Sequence, residues 1–198
     1  TTGNSYSASG ALWAAHEALE RLGLSEVDEH GRIKGKAMVV GATGAIGSVC
    51  ARLLALASDE LYLISPETAK LLALKADMER ENPRAVIHVA ATPNEALPEM
   101  DMIVTATSGA GKRVLDIMAV KPGCVITDVA RPLDLSAEDV AKRPDVLVIE
   151  SGEIDSVRRP KQGLNIDASV ALGDREHRED STAVVVDTHD REILTHRV

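Results

Sequence analysis

Three glycines at regular spacing are the residues whose types and positions point most directly to chemistry. Gly41, Gly44 and Gly47 follow an apolar run that ends at Val40 and precede a helical pattern that begins at Ala45. They permit a tight turn, a close backbone approach to a ligand, and close packing of the helix on the strand. The free amides and the dipole at the start of the helix favour a bound phosphate. We therefore expect a dinucleotide pyrophosphate on this turn, in contact with Gly41, Thr43, Gly44, Ala45 and Ile46.

The spacing of the glycine turn is a variant of the dinucleotide fingerprint. It reads G-x-x-G-x-x-G, whereas the usual pattern is G-x-G-x-x-G. Taken by itself, such a triplet also suits an ordinary turn between a strand and a helix. The dinucleotide interpretation is favoured because five further strands follow in the order expected of such a domain.

The end of the second predicted strand decides which dinucleotide is preferred. NAD enzymes usually place Asp or Glu there as an acceptor for the ribose hydroxyls, but this chain has Ser65, followed by Pro66. The hydroxyls of Ser65 and Thr68, with the charge of Lys70, suit the extra phosphate of NADP(H). Glu67 would repel that phosphate if it pointed inward, and we interpret it as the first residue of a helix, where it serves the helix dipole. We therefore predict NADP(H) over NAD(H), with Ser65, Pro66 and Thr68 at the cofactor; a preference for NADH would make Glu67 the ribose ligand.

Two further strand ends are expected to face the cofactor, because ligands lie beyond the carboxyl ends of such sheets. The first carries Ala106, Thr107 and Ser108, whose small side chains would let the nicotinamide ribose approach. The second carries Val129 and Ala130, next to the expected nicotinamide pocket. Each of these residues is equally consistent with ordinary loop structure. The catalytic residues are not identified, and His177, His189 and His196 in the charged tail follow no metal-ligand spacing.

The elements that position these residues alternate along the chain. A helix that ends near Leu22 comes first, so residues 1–24 form a helix leading into the domain. Strands are predicted at 36–40, 61–64, 85–89, 101–106, 124–129 and 145–149, with helices at 45–57, 67–81 and 136–142. This alternation predicts an α/β fold with a doubly wound parallel sheet, a Rossmann-type NAD(P)-binding domain over residues 36–153. Residues 154–198 read as an irregular extension, with a possible hairpin from Thr182–Asp187 and Ile193–Val198.

Bulk composition narrows the class of protein. Hydrophobic residues make up 44% of the 198, aromatics 2%, and Phe is absent, so the core is aliphatic, as in a parallel sheet buried on both faces. The net charge of −9 argues against nucleic-acid binding. No apolar run reaches the ~18 residues of a membrane span, and two cysteines without a motif suit a reducing compartment. We expect a cytoplasmic protein that acts on a small molecule.

The segment Thr1-Thr2-Gly3-Asn4-Ser5, followed by a helix and the glycine turn, resembles the reductase domain of cyanobacterial long-chain acyl-[acyl-carrier-protein] reductases. The similarity extends over roughly residues 1–153. The glycine turn is also similar to those of shikimate dehydrogenases and glutamyl-tRNA reductases. The resemblance implies an NADPH-dependent reduction of an acyl thioester to an aldehyde, with an enzyme thioester on a cysteine beyond the last strand and a substrate domain before this region.

The chain departs from that family at the nucleophile. No cysteine follows Cys124, and we interpret Cys50 and Cys124 as small buried hydrophobic residues. Because the chain starts at Thr1, we expect a piece of a longer protein whose amino-terminal substrate domain is missing, and a homo-oligomer is possible. The function favoured is the NADP(H)-binding domain of an oxidoreductase acting on a carbonyl or acyl thioester. The alternatives are a nucleotide-binding regulatory or interaction protein without catalysis, and a dehydrogenase of the shikimate or glutamyl-tRNA reductase type.

Overall fold

The computed structural model describes residues 3–29, 32–108 and 113–150, together with the backbone of 182–186 and 193–197. The α-helices in this part are α1 (Gly3–Arg21), α2 (Ala45–Ala57), α3 (Thr68–Glu81) and α4 (Ala137–Ala141). The strands are β1 (Glu26–Val27), β2 (Ile33–Val40), β3 (Ser58–Ile64), β4 (Val86–Ala90), β5 (Met102–Thr105), β6 (Val125–Asp128), β7 (Leu147–Glu150), β8 (Thr182–Val186) and β9 (Ile193–Arg197).

Six of these strands form one parallel sheet, in the order β4-β3-β2-β5-β6-β7. The chain starts in the middle of the sheet at β2, moves outward to β4, and then returns to build the other half from β5 to β7. This is the strand order of doubly wound dinucleotide-binding domains, and the reversal falls between β2 and β5. The predicted α/β fold class is therefore confirmed.

Apolar side chains cover both faces of the sheet, which explains the continuous apolar runs of the strands. Along β2, Ala37 and Val39 pack on the face that also carries α1 and α2, whereas Met38 and Val40 pack on the opposite face. The first face is built closely, since the residues of α1 that enter it are mostly alanines. The buried residues of α1 are Ala8, Ala11, Leu12, Ala14, Ala15, Ala18 and Leu19.

Three boundaries differ from those predicted. Strand β1 was missed, because two residues show no periodicity; it pairs antiparallel with the start of β2 through Val27 and Ile33. Strand β2 therefore begins at Ile33 and not at Lys36, and β3 begins at Ser58, which pairs with Ile33. Backbone hydrogen bonds recruit these polar residues into strands where an apolar pattern does not mark them.

The carboxyl-terminal region contains one described element pair. Strands β8 and β9 lie antiparallel, with Thr182 opposite Arg197 and Val186 opposite Ile193. The predicted extension over residues 154–181 lies outside the described residues, as do the side chains of the three tail histidines. The division of the chain at residues 24, 36 and 153 stays a prediction.

Candidate functional site

The glycine turn and the loop after β5 lie side by side at the point where the strand order reverses. The amide of Gly41 donates to Ile64 O at 2.9 Å, which joins the turn to the end of β3. The amide of Ala106 donates to Val40 O at 2.9 Å, which joins the loop after β5 to the end of β2. The carboxyl ends of three strands, each carrying predicted cofactor residues, therefore meet at one crevice.

The three glycines differ in what a side chain would meet. Gly41 has a φ of +85°, and a Cβ there would lie 2.6 Å from Ala106 O. A Cβ on Gly47 would overlap the backbone carbonyl of Gly41. A Cβ on Gly44 would meet its nearest atoms, Gly41 O and Ala106 O, at 3.3 and 3.7 Å. Gly41 and Gly47 are thus required by the fold, whereas Gly44 borders open space.

The amino terminus of α2 is accessible at this open position. Gly44 is the N-cap residue, with φ −75° and ψ 168°, and no side chain caps the helix. Gly44 and Ala45 are exposed and Ile46 is half-buried. The first amides of a helix have no carbonyl partner within the helix, and they carry the positive end of its dipole. The turn therefore offers both space and hydrogen-bond donors to an anionic group.

A hydrogen-bonded network connects the glycine turn to the residues after β3. Thr43 Oγ1 donates to Glu67 Oε2 at 2.9 Å and lies 2.8 Å from Ser65 Oγ. Because Thr43 has one hydroxyl proton, the Ser65 hydroxyl is the donor to Thr43. The Ser65 oxygen also accepts the amide of Glu67 at 3.2 Å, and Lys70 Nζ donates to Glu67 Oε1 at 2.5 Å. The hydrogen bonds from Lys70 and then Thr43 lower the pKa of Glu67, so this carboxylate stays ionised beside the turn.

This network corrects the roles assigned to two residues after β3. Glu67 is not the first residue of α3; it occupies the N-cap position, and its side chain makes no cap hydrogen bond. Its carboxylate points to Thr43 of the glycine turn instead of serving the helix. Ser65 is 2% exposed and its hydroxyl is already bonded, so it does not present a free donor. Pro66 and Thr68 are exposed at the same end of the sheet.

The other predicted contacts lie on the opposite side of the crevice. Ala106 and Thr107 are half-buried and Ser108 is exposed, whereas Val129 and Ala130 are 6% and 3% exposed. The structure thus brings the loop after β5 to the surface of the crevice and places the two residues after β6 beneath it.

Two aspartates organise the loops on this side of the crevice. Asp128, at the end of β6, is fully buried and accepts the amides of Ala130 at 3.1 Å and Leu135 at 2.9 Å. Burial raises the pKa of Asp128, against the effect of these amides. Asp134 accepts both the amide and the hydroxyl of Thr107. Sequence reasoning missed Asp134, because its partner is 27 residues earlier and no local motif links them.

Neither cysteine has the environment of a nucleophile. Cys50 and Cys124 are both 0% exposed, each within one of the two apolar cores. Burial raises the pKa of the Cys50 thiol to about 12, and burial also raises the pKa of Cys124. The thiolate is the reactive form of cysteine, so both are inert packing residues, as predicted.

Among the described helices, none combines the length and the apolar character needed to cross a membrane. The same part of the chain brings together no group of three or more His, Cys, Asp or Glu side chains with the arrangement of a metal site.

Comparison with known proteins identifies one curated relative and several structural relatives. The chain is 29% identical over 131 residues to aminotransferase PigE of Serratia sp. (strain ATCC 39006), and this match covers 65% of the chain. It amounts to 15% of the length of PigE. No family model matches the chain.

The solved structures most informative about the fold are three bacterial proteins. Quinate dehydrogenase from Corynebacterium glutamicum, solved in complex with NAD, superposes with a TM-score of 0.53 and 18% identity over 71% of this chain and 50% of its own. A dipicolinate synthase chain from Bacillus halodurans gives 0.52 and 14%, over 73% and 47%. L-tryptophan dehydrogenase from Nostoc punctiforme gives 0.50 and 16%, over 75% and 41%. The chain spans half or less of each of these structures. At such low identity the likeness concerns architecture, and it shows that this chain has the Rossmann-type α/β fold found in these dehydrogenases.

Proposed function

We propose that this chain is the nicotinamide-dinucleotide-binding domain of an oxidoreductase that acts on a carbonyl compound or an acyl thioester. The observation that carries the proposal is the exposed Gly44 at the reversal of strand order, with the uncapped start of α2 behind it. A Cβ at this position would project between the Gly41 and Ala106 carbonyl oxygens, into the space that a pyrophosphate needs.

The residues around the crevice suit the two halves of a dinucleotide. The pyrophosphate would accept hydrogen bonds from the backbone amides of Ala45 and Ile46. The adenosine ribose would lie toward Glu67, on the β3 side of the crevice. The nicotinamide ribose would lie toward Thr107, on the β5 side. When bound, the dinucleotide would supply or accept a hydride, and the protein would orient it and exclude water.

The substrate class is proposed from the resemblance and from the curated relative. Reduction of an acyl thioester yields an aldehyde and a free thiol, and aldehydes are amino acceptors in transamination. A domain that makes an aldehyde therefore suits a protein of the class for which PigE is named. The buried state of Cys50 and Cys124 favours hydride transfer to a substrate held by groups outside the described residues, without an enzyme thioester on either thiol.

The first prediction is that the purified chain binds a nicotinamide dinucleotide. Titration of NADH and NADPH by calorimetry should give a dissociation constant of about 1 mM or tighter for at least one of them, which corresponds to about −4 kcal/mol. The expected cause is the space and the free amides at Gly44. An absence of heat and of a shift in melting temperature with both dinucleotides would overturn the proposed function.

We further propose that NAD(H) is preferred, with Glu67 as the acceptor for the adenosine ribose hydroxyls. This reverses the expectation from sequence, which assigned Lys70 to the extra phosphate of NADP(H). In the structure Lys70 is paired with Glu67, and the ionised carboxylate faces the turn, where it would repel that phosphate. The quinate dehydrogenase of similar fold was solved with NAD.

The second prediction tests this preference with Glu67→Gln. The wild-type chain should bind NADH more tightly than NADPH, and Glu67→Gln should weaken NADH binding about tenfold, or roughly 1.4 kcal/mol. Loss of the repelling charge should leave NADPH binding equal or tighter. Glu79→Gln is the matched control, because Glu79 lies on the same helix, is paired with Lys75, and is remote from the glycine turn. A wild-type preference for NADPH would support the sequence-based expectation and contradict this role of Glu67.

A further inference from the structure

One carboxylate joins the two loops that border the nicotinamide side of the crevice. Asp134 Oδ2 accepts the backbone amide of Thr107 at 3.0 Å, and Asp134 Oδ1 accepts the Thr107 hydroxyl at 2.5 Å. Asp134 is 9% exposed, so these bonds are largely shielded from water. Hydrogen bonds to a charged acceptor are about twice as strong as neutral ones, and two of them on one residue fix its orientation as well as its distance.

The loop that carries Asp134 is itself fastened to the sheet. Asp128, the last residue of β6, accepts the amide of Leu135, the residue next to Asp134, at 2.9 Å. It also accepts the amide of Ala130 at 3.1 Å, so both sides of the loop are held by one buried carboxylate. Asp134 is therefore attached to a fixed base, and it transmits that position to Thr107.

Thr107 in turn lies against the glycine turn. A Cβ built on Gly41 would be 3.1 Å from Thr107 Cγ2 and 2.6 Å from Ala106 O. The loop after β5 is thus packed on the backbone that forms the floor of the crevice. Its position determines the width of the crevice on the β5 side, while Glu67 and the residues after β3 border the other side.

We propose that Asp134 is a positioning residue that holds Thr107 and its loop in the place required by the nicotinamide-ribose half of a bound dinucleotide. The inference rests on the proposed dinucleotide function and adds a residue that acts through Thr107 on one half of the ligand. The adenosine half lies across the reversal point, so its binding does not depend on Asp134. A residue that merely stabilised the fold would affect both halves alike.

The experiment compares NADH with ADP, which contains the adenosine and pyrophosphate and lacks the nicotinamide ribose. Dissociation constants of both are measured by calorimetry for the wild type, Asp134→Ala and Thr107→Val. Asp134→Ala should weaken NADH about tenfold or more and change ADP by less than about threefold. Thr107→Val, which keeps the shape and loses the hydroxyl bond, should change NADH in the same direction by a smaller factor. Asp134→Asn should restore most of the NADH affinity, since its side-chain oxygen still accepts the Thr107 amide.

A matched control and a measurement of folding keep the outcomes distinct. Asp139→Ala removes a carboxylate from the neighbouring helix α4, where it pairs with exposed Lys142, and should change neither ligand. Circular dichroism reports folding, and if Asp134→Ala does not fold, the NADH-to-ADP ratio of Thr107→Val decides the matter. Equal losses for NADH and ADP, or no loss for either, would overturn the positioning role while leaving the proposed function intact. A wild-type chain that binds neither ligand would overturn the proposed function, and this role with it.

Discussion

Replacement of Gly44 by valine is expected to abolish dinucleotide binding and to leave the fold in place. The backbone of Gly44 has φ −75° and ψ 168°, a conformation that any residue adopts. A Cβ there would lie 3.3 Å from its nearest neighbour, Gly41 O, which the turn can accommodate with a small shift. The two methyl groups of valine would then extend into the crevice and occupy the space of the pyrophosphate.

The expected loss of NADH affinity for Gly44→Val is at least about 100-fold, or roughly 2.7 kcal/mol. Calorimetry measures the affinity, and a thermal melt of the same sample measures the fold. Gly44→Ala, with one methyl group in the same direction, should give a smaller loss. A folded Gly44→Val protein with wild-type affinity would show that the pyrophosphate binds elsewhere.

Gly47→Ala should have the opposite consequence and destabilise the fold itself. Its Cβ would overlap the Gly41 carbonyl oxygen and approach the Gly41 carbonyl carbon to 2.9 Å and Ala42 Cα to 3.2 Å. All three atoms belong to the backbone, so no side-chain rotation relieves the overlap, and α2 must move away from β2. Overpacking of this kind typically costs about 1–3 kcal/mol, and we expect about 3 kcal/mol here because the neighbours are rigid.

Urea denaturation measures this effect as a change in the free energy of unfolding. A loss of about 3 kcal/mol is a large part of the stability of an ordinary domain. Gly44→Ala is the matched control, since it is the same chemical change three residues earlier, where a Cβ has room. Equal unfolding midpoints for Gly47→Ala and the wild type would contradict the packing seen between α2 and β2.

The fold could be predicted from sequence because its signals are local. Each parallel strand is a short apolar run, such as Met102–Thr105, and the glycine turn marks the first crossover from strand to helix. The missed elements lack such a signal. Strand β1 has two residues, and it is a strand because Ile33 and Lys34 lie opposite them in the folded chain.

The site could be predicted where it depends on backbone and could not where it depends on distant partners. Gly41 and Gly44 were identified because only their lack of a side chain matters. The orientation of Glu67 depends on Thr43, 24 residues earlier, and sequence reasoning assigned it to the helix that follows. Asp134 carries no local pattern at all, because its partner lies on a different strand end.

The hydrogen bond between Thr43 and Glu67 has a consequence for how tightly a ribose would be held. With Glu67 as the ribose acceptor, an arriving sugar hydroxyl replaces a contact that the protein already makes, so binding exchanges one bond of similar strength for another. Such an exchange adds little to overall affinity. It still discriminates strongly, because a phosphate on that hydroxyl can neither donate to the carboxylate nor avoid its charge. This corner of the crevice would therefore select a ligand without retaining it, which suits a cofactor that must leave after each turnover.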